Sequence, residues 1–252
     1  MRKRSKLLCA VAALAGLTAP LGLKAASDYK PPRTADGQPD LQGIWEIRTS
    51  PDKDLEKAKV IVEPKNGKIP YLPAALAQKK ENEKNSAKTD PLGKCYMPGV
   101  PRINLLTYPF QIFQTPTEVA IAYEYIHNWR NIYLKRDKHL DGIDFWQGDS
   151  IGHWDGDTLV VDVGDFNDQT WFDKAGDYHS DGLHVTERYT RTGPDTLHYE
   201  ATIEDPKTFS QPWKIRAELQ RNTQPNARIL EYECQYLKEV AAEKVAGKSE
   251  GK

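Results

Sequence analysis

Alternation of apolar and polar residues constrains this chain more than any other feature. In Glu118 to Ile126 (EVAIAYEYI), Val119, Ile121, Tyr123 and Tyr125 fall on one face. In Thr196 to Glu204 (TLHYEATIE), Leu197, Tyr199, Ala201 and Ile203 do the same, opposite His198, Glu200, Thr202 and Glu204. Successive side chains of a strand point to opposite faces, so a period of two reads as a half-buried strand. Runs at Leu41 to Ile47, Phe110 to Gln114, Trp129 to Lys135, Leu183 to Arg191, Pro212 to Arg221 and Ala227 to Tyr236 continue the pattern. Asp155-Gly156, between a run ending in Trp154 and the run Thr158 to Val163, supplies the positive φ values of a two-residue hairpin turn. One helix is expected, over Leu72 to Lys84 (LPAALAQKKENEK). Strands at hairpin spacing, without a βαβ rhythm, predict one all-β domain: an antiparallel barrel of about eight to ten strands with one short helix.

The first 25 residues read as a secretory signal peptide. Arg2, Lys3, Arg4 and Lys6 precede the apolar run Leu7 to Leu21, and small residues follow. Gly16, Pro20 and Gly22 leave that run too short and broken for a membrane span. Cleavage leaves 30 basic side chains against 36 acidic ones, a net charge of −6. That balance gives no basic footprint for a nucleic acid. The barrel domain is expected over 26–238, followed by a flexible Ala/Lys/Glu/Gly tail over 239–252, in a periplasmic or secreted protein. Cys95 and Cys234 would meet an oxidising compartment and are expected to pair.

A charge interrupts one apolar face. Leu183, Val185, Glu187 and Tyr189 share a side, so Glu187 points into the core, where a carboxylate is either paired, for instance with Arg130, or a working group. Before that strand comes a loop of about twenty residues, rich in Asp, Gly and aromatics; ordered loops that long are often functional. At its end stands His179-Ser180-Asp181. His179 is a candidate general acid or base, oriented by Asp181 or Glu187, or else a loop histidine with a structural hydrogen bond. Tyr123 is a candidate for serving a phenol. Trp154, Trp171 and His153, with Arg102 and Arg130, suggest a pocket for a flat, acidic aromatic molecule, since arginine matches a carboxylate and aromatic walls bury a ring. Individually, most of the aromatics also read as core. Nucleophile elbows, phosphate loops, dinucleotide fingerprints and HExxH are all absent. A metal on His179 and His184 would need a third ligand such as His153 or Asp181, and none is assigned.

Gly43-x-Trp45 is the pair that opens many lipocalin-type barrels, where the tryptophan plugs one end, which makes the expected barrel lipocalin- or calycin-like. More specifically, the chain carries T-x-D-G-x-P-D-L-x-G-x-W (Thr34 to Trp45), C-x-x-P-G-x-P-R (Cys95 to Arg102) and Y-E-Y with R-x-I-Y (Tyr123 to Tyr133). It also carries G-x-W-x-G-D-T-L-V-V-D (Gly152 to Asp162), F-N-D-x-T-W (Phe166 to Trp171), H-S-D-x-L-H-x-x-E-R (His179 to Arg188) and a D-P…P-W pair (Asp205 to Trp213). In these motifs it resembles a poorly characterised set of exported bacterial proteins, with one departure: an R-x-H-P of that set stands here as Asp137-Lys-His139-Leu140. The resemblance implies a cofactor-independent lyase, a decarboxylase or a C–C/C–O cleaving enzyme, acting on phenolic, lignin-derived aromatics. A para-phenol can act as the electron sink, so no organic cofactor is required. The alternative is a non-catalytic periplasmic carrier of a small aromatic ligand, which the same barrel allows.

Overall fold

Ten strands carry the alternation: β1 (Gly43–Glu46), β2 (Ile61–Glu63), β3 (Phe110–Gln114), β4 (Glu118–Tyr123), β5 (Trp129–Tyr133), β6 (Asp149–Asp155), β7 (Thr158–Gly164), β8 (His184–Gly193), β9 (Thr196–Glu204) and β10 (Trp213–Arg221). In this computed structural model, which describes residues 29–234, β1 and β3 to β10 are hydrogen-bonded in succession, and Trp45 opposite Arg221 joins β10 back to β1. Nine strands therefore close a barrel, and β2 lies outside it on β10. Closure gives each of those nine strands a neighbour on both sides, which removes the open edges of a flat sheet. The expected signal peptide and tail lie outside the described residues.

Three differences from the sequence reading have physical reasons. The barrel is antiparallel except between β5 and β6, which run parallel and are bridged only at Tyr133 opposite Ile151. The connection 134–148 between them is long enough to carry the chain back to the same end, which a hairpin turn cannot do. Residues 227–234 form no strand beyond a single bridge of Tyr232 to Tyr125, because β10 is already paired to β9, β1 and β2. Instead the Cys95–Cys234 disulfide, with Cα atoms 5.6 Å apart, pins this segment to the barrel. The helix α1 runs Pro73–Thr89, longer than expected, with Pro73 at its first turn and Ala75 its one buried residue. Among the described residues no helix is long and apolar enough to cross a membrane.

The barrel interior is filled. Inward residues of β1, β3, β4, β7, β8, β9 and β10 form one apolar cluster that includes Trp45, Ile112, Val161, Leu197 and Ile215. One end is shut by Trp45, whose Nε1 donates to the Leu41 carbonyl at 2.8 Å. The Arg191 and Arg221 guanidiniums lie 5.8 and 5.9 Å from its ring. The long loop 165–183 packs Phe172 edge-on against Trp213 at 5.3 Å, by the strand ends β7, β8, β9 and β10. On this packing, Trp45→Ala is expected to lower unfolding free energy by about 3–5 kcal/mol, a buried-aromatic cavity effect. Urea denaturation checks this; a change under about 1 kcal/mol would show that the indole is not a plug.

Candidate functional site

Within the apolar interior sits one charge pair. Val185, Glu187 and Tyr189 face inward from β8, and Glu187 is fully buried. Its Oε1 accepts from Tyr199 Oη at 2.7 Å, Tyr189 Oη at 3.0 Å and Asn104 Nδ2 at 3.0 Å. Its Oε2 accepts from Arg130 Nη2 at 2.5 Å. Arg130 comes from β5 across the barrel, and its Nε donates to Ser150 Oγ of β6 at 3.0 Å. Tyr123 Oη donates to Asn104 Oδ1 at 2.9 Å. Asn104 reaches in from the 3₁₀ turn Arg102–Leu105, which plugs this end of the barrel. Burial is the largest influence on Arg130 and works against its charge, but Glu187 together with the Tyr189 and Tyr123 oxygens outweighs it and holds the guanidinium well above its ordinary pKa. Burial, then the Glu187 charge, push the Tyr189 and Tyr199 phenols far up. Burial also raises Tyr123, against the pull of Arg130. All three phenols therefore stay neutral donors, and Glu187 meets the requirement that buried charges be matched and hydrogen-bonded.

β5 and β6 are paired only at Tyr133 opposite Ile151. Along that seam lies a pocket of about 400 Å³ whose lining includes Trp129, Arg130, Phe145, Trp146, Gln147 and Ser150. That volume is within the range of small-molecule sites. Its mouth is aromatic: Trp129, 53% exposed, stacks on Phe113 at 6.0 Å, and Tyr96 lies 5.0 Å from Trp146. Arg130 is only 4% exposed, yet its Nη1 has no hydrogen-bond partner. A buried donor without an acceptor costs about 1–3 kcal/mol, and more when charged. An anionic oxygen entering the seam would remove that cost.

Of the residues expected at the site, Glu187, Arg130 and Tyr123 are brought together. The others are not. His179 is 1% exposed and lies between Phe166 and Phe172, with ring centroids 5.8 and 5.3 Å away. Its Nε2 meets Thr170 Oγ1 at 2.6 Å and its Nδ1 meets the Ser180 carbonyl at 2.8 Å, so both nitrogens are engaged. Burial holds its pKa below the ordinary histidine value. Asp181 is on the surface, bound to Lys207 Nζ at 2.7 Å, and does not orient His179. Arg102 is buried but saturated, by Asp52 at 2.6 Å and by both oxygens of Asp90 at 2.8 Å. His153 is exposed on the outer face of β6, while Trp154 and Trp171 are part-buried and lie outside the seam lining. Asn104, Ser150, Gln147, Tyr189 and Tyr199 complete the site. Alternation places the two tyrosines inward beside Glu187; the other three carry no sequence signal that marks them.

A larger cavity of about 860 Å³ lies between Tyr108, Tyr125, Tyr232 and Lys174, beside the disulfide. It meets no unpartnered buried group. His139, Asp149 and Asp165 bring potential ligand atoms within 4.8 Å of one another. Arg136 already holds both oxygens of Asp149, at 3.0 and 2.5 Å, so a cation occupies that carboxylate. His184 is elsewhere engaged, by Asp162. No protein-family model and no curated protein matches this sequence.

One further acid pair is strongly perturbed. Burial, and then the charge of Asp177, push Asp173 up to about 9. Asp173 accepts from the backbone nitrogens of Leu55 at 2.8 Å and Ala175 at 2.9 Å, and Asp177 accepts from Tyr71 Oη at 2.9 Å. The folded state thus keeps a proton that the unfolded chain releases near pH ~4. Stability is expected to fall as pH rises from the ordinary carboxyl range to about 9, and to level off above. Asp173→Asn should flatten that slope, at some cost in stability at every pH, because its NH2 must face a backbone N–H that an Asp173 oxygen now accepts. Melting temperatures across this range check it; parallel curves for the two proteins would contradict it.

Proposed function

We propose that the seam pocket takes a small aromatic carboxylic acid and that the protein is a cofactor-independent lyase for a phenolic acid, in an exported, periplasmic or secreted setting. The observation that carries the reading is Arg130: a buried guanidinium, neutralised on one side by Glu187, with one nitrogen unpartnered, on a residue that also borders an aromatic pocket. A carboxylate oxygen would accept from that nitrogen, and Trp129, Phe145 and Trp146 supply faces for a ring. The disulfide fits an oxidising compartment. The family resemblance of the motifs points the same way.

The chemistry for a para-hydroxyaryl acrylic acid balances without a cofactor. The phenol loses its proton while the carbon bearing the carboxylate gains one, giving a quinone methide. The bond to CO₂ then breaks, its electron pair forms the vinyl group, the ring regains aromaticity, and the phenolate takes a proton back. Arg130 would hold the carboxylate, and the neutral Tyr189 and Tyr199 phenols on Glu187 would relay the proton. His179, with neither nitrogen free, is not given this role.

Incubation with para-hydroxycinnamate, with product analysis, separates the readings. Turnover to CO₂ and the vinylphenol supports the lyase. Saturable binding with unchanged ligand would leave the carrier reading, and no binding would overturn both. Arg130→Lys keeps the charge but loses the fork, and should weaken binding by about ten- to a hundredfold. Glu187→Gln should lower turnover by about 10²–10⁴-fold while binding persists.

A further inference from the structure

Beside Arg130, two buried amides are left with one complementary free atom each. Asn128 and Gln147 are 5% and 7% exposed. Gln147 Nε2 donates to Asn128 Oδ1 at 2.8 Å, and the same oxygen accepts from the Trp129 backbone nitrogen at 2.8 Å. The backbone N–H can only donate, so the atom facing it must be the Asn128 oxygen. Gln147 must then meet that oxygen with its own nitrogen. Both amide orientations are fixed, and two atoms remain without partners: the acceptor Gln147 Oε1 and the donor Asn128 Nδ2. Gln147 lines the same pocket as Arg130.

An acceptor and a donor on paired amides call for a group that both donates and accepts. Water does so, and so does a ligand hydroxyl in its place: the O–H would meet Gln147, which lines the pocket, and a lone pair would meet its partner Asn128. A carboxylate cannot serve here, because it offers Gln147 no proton, and a bare ring edge would leave both atoms unpaired. Sites with buried polar groups of this kind reject the analogue that lacks the matching hydroxyl, since the unpaired groups stay desolvated.

We infer that Gln147, paired with Asn128, is a specificity-determining residue that reads a hydroxyl on the acid anchored by Arg130, so that the ligand class is a hydroxylated aryl acid rather than any aryl acid. The inference rests on the seam reading of Arg130 given above, and goes beyond it in assigning a second recognition point.

Calorimetric titration of the full chain with ortho-, meta- and para-hydroxycinnamate and with unsubstituted cinnamate tests both and tells them apart. At least one hydroxylated isomer should bind about tenfold or more tightly than cinnamate. Gln147→Met, close in shape but without the amide oxygen, should bring that ratio to within about twofold while cinnamate still binds. Equal affinity of wild-type protein for cinnamate and all three isomers would overturn this inference and leave the Arg130 anchor standing. So would a preference that survives Gln147→Met, which would place the hydroxyl elsewhere. If no acid binds at all, the seam reading falls and this inference with it. Gln147→Leu, a second variant without the amide oxygen, decides the residue's role should Gln147→Met fail to fold.

Discussion

A carboxylate and a guanidinium facing each other inside a closed barrel set the terms for everything around them. Taking two such charges out of water costs several kcal/mol each, and their attraction offsets this only when the remaining donors and acceptors are also met. Glu187 meets that condition, with four donors on its two oxygens. The plug residue Asn104, the inward phenols of β8 and β9 and the β5 side chain are all placed by that one carboxylate. Arg130 falls short by one nitrogen. An apolar pair of similar volume would fill the same space without a desolvation cost, so the unmatched nitrogen is where an anionic group would have most to offer.

The barrel's one parallel joint lies beside this pair. β5 and β6 share a single bridge, and Arg130 crosses the joint to Ser150 by a side-chain hydrogen bond at 3.0 Å. Gly152 lets Ile132 pack against β6, since a side chain there would meet it. The pocket along the joint is bordered by Trp129 and Trp146, away from the Trp45 indole held on the Leu41 carbonyl.

Much of this was legible in the residues. Alternation located seven of the nine barrel strands and the Asp155-Gly156 signal marked the hairpin of the other two, although the two-residue loop falls one residue on, at Gly156-Asp157, with Asp155 opposite Thr158 and only Gly156 of the expected pair at positive φ. Glu187 announced itself as a charge on an apolar face, and the pairing with Arg130 was one of the two readings open to it. The parallel joint was not legible, since strand pattern carries no direction and only the length of 134–148 hints at a return. His179 drew attention because it ends a long loop. What decides its role is the packing of Phe166 and Phe172 and the Thr170 hydroxyl, contacts made by folding. Asn104 and Gln147 were invisible for the same reason: single amides in irregular segments gain meaning only from what they touch. Arg102 looked free to bind an acid, and the two aspartates that saturate it lie 50 and 12 residues away in sequence.

The most direct test of the seam as a ligand site is a crystal structure of the protein with bound para-hydroxycinnamate. The account predicts the ligand between the starts of β5 and β6, with a carboxylate oxygen about 3 Å from Arg130 Nη1 and the Arg130–Glu187 contact intact. Ligand density in the cavity beside Tyr108 and Tyr232 instead, with the Arg130 nitrogen still unpaired, would contradict it.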